Sequence, residues 1–186
     1  AVVLAITDRE DRKHGISAFV IEMDRPGIRP GKKENKLGMR ASDTAELVLQ
    51  DCRVSDEALL GKAGYGFVDA MKVLDGGRIS IGALAVGIAQ GAFEAARDYS
   101  KQRTAVGKNI SEFQAIQFML ADMATEIEAA RLLCYQAAAM KDSGEKTTIY
   151  SSMAKLYASE VAVRATERGV QIFGGYGFIK DFPAEK

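Results

Sequence analysis

The chain of 186 residues carries 25 Lys plus Arg against 25 Asp plus Glu, one His and two Cys, and 47% of its residues are apolar. Balanced charge supplies no field to recruit nucleic acid or an anionic membrane, and the apolar fraction is enough for a packed core. No apolar run approaches the roughly 20 residues that span a bilayer, and the start lacks the basic flank and cleavage site of a signal peptide. Cys52 and Cys134 lie far apart in unlike contexts, which suits a reducing compartment and two small core residues better than a disulfide scaffold. His14, alone in a charged loop, makes a Ser-His-Asp hydrolase or a zinc site improbable, and no metal is expected. The chain lacks a Met start and opens inside an apolar run, so it reads as a fragment.

Residues 1–6 and 15–22 are β-branched and aromatic-rich and flank a charged loop over 8–15, the pattern of a strand hairpin. Asp24, Arg25, Pro26 and Gly27 supply turn chemistry, and residues 28–30 start another extended piece. A turn region over 38–43 precedes residues 44–54, where loose alternation of Leu47, Leu49, Cys52 and Val54 gives the longest strand candidate. So few strands do not close a core alone, which implies partners upstream of residue 1. Residues 55–64, with Gly61 and Gly64, form a connector where composition shifts toward Ala, Met, Leu, Glu and Lys. The domain boundary belongs there, dividing the chain into 1–60 and 61–186.

Residues 65–102 place Phe67, Ala70, Met71, Leu74, Ile81, Leu84, Ala85, Ile88, Ala92 and Ala95 three and four apart, the spacing that holds one helical face against a core. Gly76, Gly77, Gly82, Gly87 and Gly91 lie inside this helix, each costing about 1 kcal/mol relative to Ala. The helix is therefore expected to be broken or strained near its first third. Either another backbone approaches closely at Gly87 and Gly91, or a ligand needs room beside Gly76 and Gly77. After a polar link over 102–110, Ser111 and Gln114 match a capping box that begins a second helix over 111–142. Its seam runs Phe113, Ile116, Leu120, Met123, Ile127, Ala130, Cys134 and Ala137, and Gly144 signals its end. A third helix over 146–173 is apolar on two sides, one with Ile149, Met153, Leu156, Val163 and Val170, the other with Tyr157, Val161, Ala165 and Ile172. Two such sides ask for a fourth helix or another subunit. The expected fold class is α+β: part of an antiparallel β barrel or sheet, then an up-down bundle of antiparallel helices.

Arg78 continues the apolar row Leu74, Arg78, Ile81, so its guanidinium needs an acidic or phosphate partner. Asp75 stands at the helical spacing for a local ion pair with it. Gln171, Ile172, Phe173, Gly174, Gly175, Tyr176 and Gly177 form a helix end and a glycine-rich turn, which can present backbone N–H groups to an anion or simply cap the helix. This is not a Rossmann fingerprint, which needs a strand before its glycines and a helix after them, nor is Val106-Gly107-Lys108 a P-loop. Arg103 can bind a phosphate or pair with a surface carboxylate, and Gln114 can contact a ligand or close its capping box.

Together these stretches resemble the acyl-CoA dehydrogenase family over essentially the whole chain. The likeness rests on Pro26-Gly27, Lys36-Leu37-Gly38-Met39-Arg40-Ala41-Ser42-Asp43-Thr44, Asp51-Cys52-Arg53-Val54, Gly64-Tyr65-Gly66-Phe67, Arg103 with Gly107-Lys108, Phe113-Gln114, Leu120-Ala121-Asp122-Met123 and Gln171 to Gly177, all in family order. It implies the last half of the family's middle β domain and three of the four helices of its C-terminal domain. It further implies a tetramer built as a dimer of dimers, and α,β-dehydrogenation of an acyl-CoA thioester. In that reaction a glutamate takes the α proton, the β hydride passes to FAD, and electrons leave to an electron-transfer flavoprotein. By position, Asp75 and Arg78 fall where the family contacts acyl-CoA. Arg103, Gln114, Gln171, Ile172, Phe173, Gly174 and Gly175 fall where it contacts the adenine dinucleotide half of FAD across the dimer interface. Val106 departs from the family's usual Phe. Gly77 stands where the isovaleryl and long-chain branches carry the glutamate, so the resemblance puts the catalytic base beyond Lys186, as in short- and medium-chain enzymes. The implied compartment is the bacterial cytoplasm or the mitochondrial matrix. An acyl-CoA oxidase, or a non-catalytic assembly module, is the alternative reading.

Overall fold

The computed structural model describes residues 1–11 and 14–185; Arg12 and Lys13 of the charged loop, and Lys186, lie outside the described residues. The architecture is α+β, with short antiparallel strands first and three long helices after them. Two compact units divide the chain, Ala1–Lys72 and Val73–Lys186.

In the first unit β1 (Val2–Ile6) pairs antiparallel with β2 (Ile16–Val20), setting Val2 opposite Val20 and Ile6 opposite Ile16. β3 (Ile28–Lys33) and β4 (Ala45–Leu49) form a second antiparallel pair. The strand expected over 44–54 stops at Leu49, because the Gln50 N–H turns to the Gly27 carbonyl at 2.8 Å and Asp51 takes φ +50°. The connector over 55–64 hides β5 (Leu59–Leu60), which joins the free edge of β2. Ser17, fully buried, ties the sheet to the segment before the first helix: it exchanges a hydrogen bond with the Thr7 hydroxyl and accepts the Gly64 N–H, both at 2.8 Å. At Gly64, with φ +81°, a Cβ would stand 2.2 Å from the His14 carbonyl oxygen, so only glycine fits. Cys52, expected in the core, is only partly buried.

Helix α1 (Gly66–Gln102) is continuous, contrary to the expected break. It is followed by α2 (Gln114–Asp142) and α3 (Thr148–Phe173). The polar link contains a hairpin, β6 (Thr104–Ala105) and β7 (Lys108–Asn109), with φ positive at both loop residues, Val106 and Gly107. That is the signature of a type I′ turn. The cap before α2 also differs from expectation. Ser111 lies in a 3₁₀ turn, Ile110–Glu112, whose Glu112 carboxylate accepts the Asn109 N–H at 3.1 Å, and Phe113 is the N-cap residue of α2. At the far end Gly144, with φ +78°, donates to the Lys141 carbonyl, as a glycine beyond a helix end does.

The helical core is small-sided. Ala85, Ala89 and Ala96 of α1 meet the α2 seam Met123, Ile127, Ala130, Cys134 and Ala137, and Ala154, Ala158, Val161 and Ala165 of α3. Close approach is tightest at Gly82, where a Cβ would lie 2.9 Å from Cys134 Sγ and 3.5 Å from the Ala154 backbone. The expected approach at Gly87 and Gly91 is absent: nothing lies within 4 Å of a Cβ at either, and both line a recess of about 650 Å³ between α1 and α3. Leu74, Ile81, Leu84 and Ile88, expected against the core, are instead about half exposed. On α3 the side with Ile149, Met153, Leu156 and Val163 is exposed likewise. The expectation that no apolar stretch nears membrane-spanning size is also corrected. By length and composition alone α1 is long and apolar enough to cross a membrane, because no charged residue falls between Arg78 and Glu94.

Candidate functional site

Two polar places stand out in the helical unit. The first is on α1, where the Arg78 guanidinium pairs with one Asp75 carboxylate oxygen three residues earlier, each side chain one-third exposed. The other Asp75 oxygen accepts the Thr148 hydroxyl at 3.0 Å, which fastens the pair to the first turn of α3. Lys141, from the last turn of α2, sets its ammonium over Gly76, 2.7 Å from where a Cβ would be. A side chain at Gly76 would displace that cation. Asp75, Arg78, Thr148 and Lys141 thus gather where α1 meets the end of α2 and the start of α3.

The second place lies where α3 ends. Gly174 takes φ +59° and its N–H returns to the Gln171 and Val170 carbonyls, stopping the helix and turning the chain through Gly174–Tyr176. A recess of about 450 Å³ opens there, lined among others by Arg103, Ile172, Phe173, Gly174, Gly175 and Tyr176. Tyr99 stacks on Phe173 at 4.2 Å between ring centroids and forms another wall. Arg103 is fixed at its backbone, donating to Tyr99 and accepting from Ile110, both at 2.9 Å. Its guanidinium lies 5.2 Å above the Tyr176 ring, and among the described residues it forms no ion pair with a carboxylate. No atom lies within 4 Å of a Cβ built on Gly174 or Gly175, so a ligand can approach that backbone closely.

Of the expected dinucleotide residues, Arg103, Ile172, Phe173, Gly174 and Gly175 come together around this recess. Gln114, exposed at the first position of α2, and Gln171, exposed on the last turn of α3, do not line it. Tyr99 and Ile110 line it without having been singled out, and Tyr176, named within the glycine turn, lines it without having been given a site role. Tyr176 was findable as the aromatic inside the glycine turn, whereas Tyr99 and Ile110 become neighbours only through tertiary packing. Lys141 and Thr148 were missed beside Asp75 for the same reason. Cys134 is not a nucleophile candidate, because burial pushes its thiol up from the ordinary range.

The family model for the acyl-CoA dehydrogenase C-terminal domain matches residues 64–186, and the chain belongs to the acyl-CoA dehydrogenase family. It is 50% identical over 185 residues to the short-chain specific acyl-CoA dehydrogenase of Clostridium acetobutylicum, covering 100% of this chain and 49% of that protein. The structure of butyryl-CoA dehydrogenase from Megasphaera elsdenii superposes with a TM-score of 0.95 at 50% identity, over 98% of this chain and 48% of that one. A chain in a structure of the electron transferring flavoprotein of Acidaminococcus fermentans, addressing flavin-based electron bifurcation, gives a TM-score of 0.96 at 55% identity, over 99% and 48%. The chain spans about half the length of the curated relatives it matches.

Proposed function

We propose that the whole protein carrying this chain is an FAD-dependent acyl-CoA dehydrogenase of the short-chain kind. It converts an acyl-CoA thioester to the trans-2-enoyl-CoA and passes the electrons to an electron-transfer flavoprotein. The observation that carries this reading is the recess at the end of α3, where an Arg103 without a carboxylate partner among the described residues faces an open glycine turn. A dinucleotide's diphosphate needs this combination: free guanidinium donors and backbone that can be approached closely. The residues therefore fit the cofactor. Arg103, Gly174 and Gly175, with Ile172 and Phe173 as the apolar floor, would hold its adenine dinucleotide half, and Gln114 and Gln171 would reach it from the rim. When bound, FAD supplies the hydride acceptor.

Asp75 and Arg78 orient the substrate. Asp75 is assigned the orienting role, one oxygen holding Arg78 and the other Thr148. Gly77 offers no proton acceptor. The proton-abstracting glutamate is accordingly proposed to lie beyond Lys186. A carboxylate desolvated there by the bound acyl chain would have its pKa raised toward the working pH. The protein is proposed to assemble as a dimer of dimers, its recess completing a cofactor held mainly by another subunit. Its compartment would be the cytoplasm in a bacterium or the mitochondrial matrix in a eukaryote. The experiment is flavin content of the purified full-length protein. Wild type carrying flavin and Arg103→Met losing it supports the reading, and a wild type that neither carries nor takes up flavin overturns it.

A further inference from the structure

We infer that Tyr176 is a positioning residue for Arg103: its ring holds the guanidinium over the recess while leaving the guanidinium's hydrogen-bond donors free for an anionic ligand. This inference rests on the cofactor reading given above. Arg103 is exposed and has no carboxylate partner among the described residues, yet it is not left to wander. Its Cζ sits 5.2 Å from the centroid of Tyr176, a distance at which the face of the ring attracts a cation. The choice of partner matters. A carboxylate would occupy the planar fork of donors and neutralise the charge, so that a phosphate would have to compete for both. An aromatic face attracts the cation without a carboxylate's pair of acceptor oxygens, so it neither neutralises the charge nor takes up the fork of N–H donors.

The ring, exposed on one side, packs against other aromatics on the other. The Tyr176 ring centroid lies 5.0 Å from that of Phe182, whose own centroid is 6.0 Å from that of Tyr99 and 5.9 Å from that of Phe173, so the platform is braced against the end of the helical core. Tyr176 also belongs to the short turn Gly174–Tyr176, so the turn that presents open backbone and the ring that holds the cation are one local structure. Pre-organisation of this kind raises affinity by lowering the ordering cost of a long, rotamer-rich side chain.

The test uses the full-length protein stripped of flavin and titrated with FAD and, separately, with ADP. Tyr176→Phe keeps the ring and binds both like wild type. Tyr176→Met keeps apolar bulk without a π face and weakens both by about two- to fivefold, the worth of an exposed cation–π contact. In an Arg103→Met background, Tyr176→Met produces no further loss. Thermal unfolding of each variant reports packing separately, and a change there with unchanged affinity overturns the positioning role. So does a Tyr176→Met protein that binds like wild type, or one whose loss persists in full without Arg103. A wild type that binds neither FAD nor ADP removes the cofactor reading and this inference together. A wild type that binds both while Tyr176→Met is silent removes this inference alone.

Discussion

Replacing Gly82 by alanine should destabilise the protein, while the same replacement at Gly87 should stabilise it. Both glycines lie inside α1, and each new methyl gains about 1 kcal/mol of helix propensity. What differs is the space. At Gly82 the new Cβ would stand 2.9 Å from Cys134 Sγ, and neither that thiol, 4% exposed, nor the backbone of the fully buried Ala154 has room to retreat. Overpacking of this kind costs about 1–3 kcal/mol, so the net effect is a loss of about 1 kcal/mol. At Gly87 nothing lies within 4 Å, so the full gain of about 1 kcal/mol remains. The two variants should separate by about 2 kcal/mol in urea unfolding, read from midpoints at unchanged slope. Cys134→Ala should relieve the first: in that background Gly82→Ala should cost little or stabilise, because its methyl moves into the volume vacated by sulfur. Equal shifts for Gly82→Ala and Gly87→Ala, or no coupling between Gly82→Ala and Cys134→Ala, would refute the close-packed account of the three helices.

Val106→Asn should stabilise the hairpin by about 1 kcal/mol, since a β-branched residue at φ +51° is strained and Asn-Gly suits a type I′ turn; urea unfolding reads the gain, and no gain removes the strain. In native protein a thiol reagent should modify partly exposed Cys52 first and buried Cys134 only on unfolding; equal rates would contradict the burial. The raised Cys134 pKa sets a sign for pH as well. Above the ordinary thiol value of about 8.5 the unfolded chain loses its proton first, so stability falls as pH rises toward the higher folded value. Cys134→Ala should flatten that part of the pH–stability profile, and an unchanged profile would assign the slope to other groups. Arg78→Ala should weaken acyl-CoA binding and turnover of the full-length protein together, whereas Gln in place of the glutamate proposed beyond Lys186 should abolish turnover and spare binding. Unchanged affinity and rate in Arg78→Ala would leave Arg78 a structural partner of Asp75.

Periodicity located the three helices to within a few residues, because each is long and the seam of α2 repeats cleanly from Met123 to Ala137. On α3 the expected side with Val161, Ala165 and Ile172 is buried, whereas on α1 most of the expected face is half exposed. Large apolar side chains such as Leu74 and Ile81 drew attention, yet beside the expected Ala85 the contact is made by Ala89, Ala154 and Ala158, whose small size lets helices approach. Pattern reading weighs bulk, while close packing rewards its absence. β5 escaped because two residues carry no alternation, and β6 and β7 because the signal of their hairpin is a positive φ at Val106, which its residue type argues against. In the candidate site, the glycine turn and Arg103 were legible as residue types in a suggestive order. Their convergence with Tyr99 and Ile110 was not, because residues far apart in sequence meet there only through the fold. The Asp75 to Arg78 pair was legible from helical spacing, but its tether to Thr148 spans 73 residues and needed the structure.

The most direct test is an anaerobic titration of the flavin-loaded full-length protein with butyryl-CoA, followed by the flavin's visible absorption. Bleaching by the thioester, with enoyl-CoA formed in equal amount and the colour restored on adding an electron-transfer flavoprotein, is the predicted result. A protein that holds flavin through Arg103 yet is reduced by no acyl-CoA of any chain length would contradict the dehydrogenase account.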